Sequence, residues 1–135
     1  MPLSCTVLIR GQTMRAEVCK ADASKEYVTE ERCFILEVAN DDGDAAVSIA
    51  RARVQPGVST EFHKLLDIEE RYIIVAGEGL AEIGDFAPTK VVPGDVVRIP
   101  AGIRQRITNS GSTDLIFFCV CTPRFRAESY VLVSE

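Results

Sequence analysis

The sequence is poor in the features that mark several large classes of protein. Lys and Arg number 15 against 20 Asp and Glu, a formal charge of −5. An acidic chain repels phosphate backbones, which argues against nucleic acid as a partner. No stretch approaches the roughly 18 unbroken apolar residues of a membrane-crossing helix. The first ten residues carry neither the basic region nor the cleavage pattern of a secretory signal, so a cytoplasmic location is expected. Cys5, Cys19, Cys33, Cys119 and Cys121 are odd in number and contain no C-x-x-C pair, which leaves zinc and dithiol chemistry without a motif. Cys119 and Cys121 lie two apart on an expected strand, where a disulfide would be strained. Reduced thiols are therefore expected, several of them packed as small hydrophobes. There is no repeat, low-complexity tract or linker, so residues 1–135 are read as one domain.

What is present is a β pattern. Apolar residues make up 47% of the 135-residue chain, enough for a core that needs no staples. Turn clusters recur at short intervals: Asn40–Asp44, Gln55–Gly57, Gly77–Gly79, Pro93–Asp95, Pro100–Gly102 and Asn109–Ser112. Between them, Cys33 to Ala39, Ala46 to Val54, Arg71 to Ala76, Leu80 to Ile83, Asp95 to Ile99, Arg104 to Thr108 and Leu115 to Thr122 read as strands. Many short strands at this spacing indicate an all-β sandwich or barrel. Only Met14 to Lys20 and Pro123 to Ser129 offer a turn or two of helix. The strand after Gly77 is expected to fold back on the one before it as a hairpin.

The one histidine, His63, stands in a spaced constellation. Gly57 precedes it by six residues; Glu70 follows by seven and Gly77 by seven more. A second set runs Gly94, Pro100, Gly102, Gln105, Asn109. These sets resemble the paired motifs of the cupin superfamily, G-x5-H-x-H-x3–4-E-x6-G and G-x5-P-x-G-x2-H-x3-N. The match covers residues 57–77 and 94–109, with every glycine, the proline and the asparagine in register. The resemblance implies an all-β, single-domain cupin barrel, the double-stranded β-helix or jelly roll. It also implies a homodimer, with residues 1–32 as an amino-terminal segment related to dimer formation. Cupin metal sites usually draw three His and one Glu from these positions. Here His63 and Glu70 match, while Leu65 and Gln105 replace the other two His. Leucine cannot ligate, and a carboxamide oxygen ligates transition metals more weakly than imidazole.

Period-two alternation, taken in the cupin register, turns His63, Leu65, Glu70, Tyr72 and Gln105 into the barrel. A few polar groups in an apolar cavity suit a small organic molecule. Three readings stay open. One is a metal site of His63, Glu70 and Gln105 holding Fe, Mn, Zn or Ni, serving an oxygenase or isomerase. Another is metal-free proton transfer by Glu70 or His63, with Tyr72 and Gln105 against the substrate. The third is a binding or sensor barrel in which the polar pair is vestigial. Arg51 and Arg53, if interior, make a clamp for a carboxylate or phosphate, with Arg53 binding substrate; if exterior, they are a solvated stripe. Arg104 and Arg106 flank Gln105 and are read as surface. Leu115 to Thr122 is apolar on both faces and so is expected to be covered on both, by the amino-terminal segment or a second copy. Thr122 to Phe125 is expected to leave the barrel and close one end or touch the partner.

Overall fold

The computed structural model describes residues 14–134. They form eleven strands: β1 (Tyr27–Val28), β2 (Phe34–Ala39), β3 (Ser48–Val54), β4 (His63–Leu65), β5 (Glu69–Ala76), β6 (Gly79–Ile83), β7 (Thr89–Val91), β8 (Val96–Ile99), β9 (Gln105–Asn109), β10 (Leu115–Thr122) and β11 (Tyr130–Leu132). Two antiparallel sheets face each other, one ordered β1-β2-β3-β10-β5-β8 and the other β11-β4-β9-β6-β7. All seven strands expected from the sequence are present within two residues at either end. The short strands β1, β4, β7 and β11 lie in stretches too brief for alternation to show. The amino-terminal segment falls partly on residues 1–13, outside the described residues.

One of the two helical expectations is corrected. Met14 to Lys20 forms no helix: Met14 and Val18 are 66% and 80% exposed, so no buried face holds one together. Within Pro123 to Ser129 there is a single 3-10 turn, Ala127–Ser129.

The hairpin at Gly77 is also corrected. β5 pairs with β10 and β8, whereas β6 pairs with β7 and β9. The chain therefore crosses from one sheet to the other at this turn. Gly77 has φ of +79°, and a Cβ there would lie 2.5 Å from the Asp114 carbonyl oxygen. Only glycine lets this crossing pass so close to the start of β10. The motif glycines Gly57, Gly94 and Gly102 likewise have positive φ. Asn109, at 1% exposure, ties the same end of the barrel. Its amide donates to the carbonyls of Val54 and Thr113, both at 2.8 Å, and its oxygen accepts from the Gly111 N–H at 2.9 Å.

Burial follows the alternation. In β5, Glu70, Tyr72 and Ile74 are buried while Ile73 and Val75 are exposed. The main core joins Ala52, Val54, Tyr72, Ile74, Ile107 and Phe117 from both sheets. A second cluster, Leu65, Ile68 and Cys121, packs against Phe125 and Tyr130 at the other end. Between the two lies the cavity that carries the site.

Candidate functional site

The interior cavity has a volume of about 520 Å³, in the range of small-molecule pockets. His63, Leu65, Glu70 and Tyr72 line it, as the strand arithmetic requires. They come from opposite walls. His63 and Leu65 belong to the β4 sheet, Glu70 and Tyr72 to the β5 sheet. Gln105, directly across the ladder from His63, is completely buried. Its side-chain oxygen accepts a short hydrogen bond from the Tyr72 hydroxyl, which links the two walls.

The imidazole of His63 is held on three sides. Its Nδ1 lies 3.1 Å from the Glu61 carbonyl oxygen and 3.2 Å from Oε2 of Glu31. Both neighbours are acceptors, so Nδ1 carries the hydrogen and Nε2 is the nitrogen left for chemistry. The Tyr130 ring stacks on the imidazole at 4.8 Å with planes 19° apart. The Tyr130 hydroxyl donates to the same Glu31 oxygen at 2.8 Å. Burial, and then the adjacent Glu31 charge, pushes the Tyr130 phenol upward, so it remains a donor.

Glu31 and Tyr130 are residues of the site that sequence reasoning missed. Glu31 sits in a tight loop closed where the Thr29 N–H and hydroxyl both donate to the Cys33 carbonyl, at 2.8 and 3.0 Å. Arg32, at φ of +65°, anchors that loop by donating to the Ser59 carbonyl and to Glu61 at 2.7 Å. Tyr130 is placed by β11, which pairs with β4 so that Tyr130 faces Leu65 and Leu132 faces His63. Neither residue lies within the spaced motifs. The only local sign is the turn chemistry before β2, which says nothing of where a side chain points.

Glu70 is 7% exposed. The Cys121 thiol donates to its Oε2 at 3.6 Å, and its Oε1 has no hydrogen-bond partner. Burial raises its proton affinity above that of an ordinary carboxylate, partly opposed by the His63 ring and the Gln105 amide. Cys33, Cys119 and Cys121 also line the cavity. Burial first, and then neighbouring carboxylate charge, holds all three as thiols. They contribute soft apolar surface rather than nucleophiles.

Arg53 is not in the cavity, and its expected role against substrate is corrected. Ser48, Ala50 and Ala52 take the inner face of β3, which puts Arg51 and Arg53 on the outer one. There they do grip a carboxylate, but it is the chain's own Glu26. Arg53 reaches both Glu26 oxygens at 2.6 and 3.2 Å and Asp114 at 3.2 Å, and it covers the Phe34 ring. Arg104 and Arg106 pack over Phe62, and Arg106 pairs with Glu82. They point away from the cavity, as expected.

The metal that the resemblance implies can be tested against these donors. Leu65 has none. The Gln105 oxygen is taken by Tyr72, which leaves its amide nitrogen buried without a partner. That leaves Nε2 of His63 and the Glu70 carboxyl. Among the described residues, no group of three or more His, Cys, Asp or Glu is arranged to hold an ion. Two donors fall short of the three protein ligands that hold a catalytic ion. The residues present do not supply a site for Fe, Mn, Zn or Ni.

Comparison with known proteins agrees with the fold. Over 118 residues the chain is 31% identical to the uncharacterized protein MJ1618 of Methanocaldococcus jannaschii, covering 86% of this chain and 94% of that one. An uncharacterized conserved protein with a double-stranded β-helix domain from Klebsiella pneumoniae superposes with a TM-score of 0.69 at 17% identity, covering 84% and 94% of the two chains. KdgF from Halomonas sp. gives 0.70 at 15% identity, covering 81% and 96%. A predicted oxalate decarboxylase from Thermotoga maritima gives 0.68 at 24% identity, covering 77% and 98%. At these identities the likeness to the three structures is one of fold. Residues 50–121 match the family described as the cupin domain, and with both motifs seated on the two facing sheets, the chain belongs to that family.

Proposed function

We propose that this cupin is a metal-independent acid–base enzyme that isomerises a small organic molecule with a carbonyl group. Nε2 of His63 takes a proton from the carbon beside the carbonyl. The imidazolium that forms is stabilised through Nδ1 by the Glu31 carboxylate. The acid form of Glu70 gives its proton to the carbonyl oxygen, so the C–H bond breaks as an O–H bond forms and the product is the enol. Where a carbon–carbon double bond is conjugated with that enol, return of the His63 proton to its far (γ) carbon, with the enol proton returning to Glu70, moves the double bond and completes an isomerisation without oxidant or co-reactant. The Tyr72 hydroxyl, whose hydrogen is committed to Gln105, has lone pairs left to accept from substrate. The observation that carries this reading is the bonding of Nδ1 to Glu31 and Glu61. It leaves Nε2 bare in a cavity shared with a carboxyl group whose proton affinity burial raises.

The test is solvent deuterium exchange followed by NMR over a panel of cyclic ketones and enones. Wild type is expected to exchange at least one member, and His63→Gln to lose about 10²- to 10⁴-fold of that rate. Elemental analysis of the purified protein is expected to show substoichiometric metal. Exchange that survives His63→Gln, or a full equivalent of metal per chain, refutes the proposal. The apolar lining of Ile35, Leu65, Ile107 and Phe117 favours one second reading, a binding barrel without turnover. Binding of panel members with no exchange supports that reading instead.

A further inference from the structure

The cavity carries a charge pattern that bears on what enters it. Among the described residues Glu30, Glu31, Glu37, Glu61 and Glu70 line it, and no lysine or arginine does. Two of these carboxylates pair with basic side chains. Arg32 holds Glu61 at 2.7 Å, and His63 and Tyr130 hold Glu31. The other three are engaged only in part, Glu37 by Asn40 and the Arg124 charge and Glu70 by the Cys121 thiol, and leave charge or unfilled hydrogen-bonding capacity. Glu30, like the lining residues Tyr27 and Leu132, is exposed. Glu37 has a buried Oε2 without a partner, as does Glu70 through its Oε1. Glu70 is more than nine-tenths buried and lines the cavity, so its orphaned oxygen is a group a ligand would satisfy. Arg51 and Arg53, which alternate with the lining residues Ala50 and Ala52, are occupied with Glu26 on the far side of β3.

We infer that the cavity selects its ligand by charge, taking uncharged or cationic small molecules with an apolar body and rejecting organic acids and phosphates. The inference rests on the site reading above and narrows its substrate class. An anion entering here finds no lysine or arginine among the described wall residues to replace its water; the one basic group there, His63, already faces Glu31, and the fields of Glu30 and Glu37 oppose entry. An uncharged molecule loses nothing to these carboxylates. One with a hydroxyl or amide group, which both donates and accepts, offers Oε1 of Glu70 a partner whether or not it carries the proton, and an ammonium group is drawn by Glu30 and Glu37.

The chain contains no tryptophan, so indole fluorescence reports a bound probe without background from the protein. Three probes share one skeleton: tryptamine is cationic, tryptophol uncharged and indole-3-acetate anionic. At neutral pH and low salt, tryptamine and tryptophol are expected to bind, with indole-3-acetate at least about tenfold weaker than tryptophol. In the double variant Glu30→Gln, Glu37→Gln, neither residue being part of the proton-transfer machinery, that deficit is expected to shrink severalfold while tryptophol affinity stays unchanged. Indole-3-acetate binding as tightly as tryptophol overturns the inference. So does a deficit unchanged in the double variant, or failure of all three probes to bind. Failure of the acid–base reading shows separately, in deuterium exchange that does not depend on His63.

Discussion

If Glu31 fixes the tautomer of His63, removing its acceptor must move the ring hydrogen. In the structure Nδ1 has two acceptors at nearly equal distance, the Glu31 carboxylate at 3.2 Å and the Glu61 carbonyl at 3.1 Å. Only the first is charged. A hydrogen bond to a charged group contributes about 1.5–3 kcal/mol, against about 0.5–1.5 for a neutral one. Glu31→Gln keeps an acceptor of the same shape and so is expected to weaken the Nδ1–H preference by about 1 kcal/mol, roughly fivefold in the tautomer ratio. Glu31→Ala leaves the Glu61 carbonyl alone and should cost the full charged bond, on the order of 10- to 100-fold. The assay is direct because the chain has one histidine. Selective ¹⁵N labelling of tag-free protein gives a spectrum of a single imidazole, in which protonated and bare nitrogens are far apart. At a pH where the ring is neutral, wild type is expected to show protonated Nδ1 and bare Nε2. The Nε2–H form should grow from wild type to Gln to Ala. A wild-type ring with bare Nδ1, or a ratio that ignores Glu31→Ala, refutes the proposed role of Glu31 and with it the assignment of Nε2 as the base.

Three further expectations concern stability, pH and assembly. Asn109→Leu strands the Val54 and Thr113 carbonyls and the Gly111 N–H. It should cost about 3–5 kcal/mol in urea unfolding, and a loss below about 1 kcal/mol would mean that Asn109 does not tie the barrel end. Burial raises the Glu70 carboxyl above its ordinary 4.5, so the folded state binds this proton more tightly than the unfolded one. Its contribution to stability is then fully present below the ordinary value and is lost as pH rises through the displaced one. Glu70→Gln should remove that part of the decline, and identical stability–pH curves for the two proteins would show that the carboxyl is not displaced. Homodimer formation is proposed through the outer face of β10 and its neighbours, where Ile49, Ile73 and Val75 are 36%, 39% and 44% exposed; sedimentation should give twice the chain mass, and Ile73→Asp should give a monomer, whereas a wild-type monomer removes the proposal.

How far the site could be read from the sequence depended on what kind of constraint placed each residue. His63, Leu65, Glu70 and Tyr72 were legible because backbone geometry alone sets which face a strand residue takes, and the glycine turns fixed the register. Gln105 was legible in position but not in role. Its oxygen is occupied by a hydroxyl from the opposite sheet, and no spacing along one strand reveals a partner across the barrel. Parity left Arg51 and Arg53 undecided because their neighbours on both faces of β3 are small or aliphatic. The deciding fact is that Glu26, 27 residues before Arg53, waits on the outer side. Glu31 and Tyr130 were invisible for the same reason, since they reach His63 through contacts 32 and 67 residues apart in the chain. The Gly77 crossing was misread because a tight glycine turn between two strands is compatible with either a hairpin or a change of sheet. Only the proximity of Asp114 distinguishes the two.

The replacement at position 65 and the stacking on His63 are parts of one arrangement. Leu65 lies opposite Tyr130 in the β4–β11 ladder. It also belongs to the cluster of Ile68 and Cys121 against which Tyr130 and Phe125 pack. An imidazole that no ion holds needs another source of orientation, because a ring free to turn loses the geometry on which proton transfer depends. Here the orientation comes from a ring on one face and a carboxylate at Nδ1. The ring is supported by the same apolar cluster that leucine completes. A histidine at 65 would put a polar ring into that cluster and weaken the support beneath Tyr130. It would also supply only one of the two imidazoles that separate these donors from the family's usual set. The leucine that removes a metal ligand is thus also part of what keeps His63 aimed into the cavity, and the Tyr130 hydroxyl carries that aim on to Glu31.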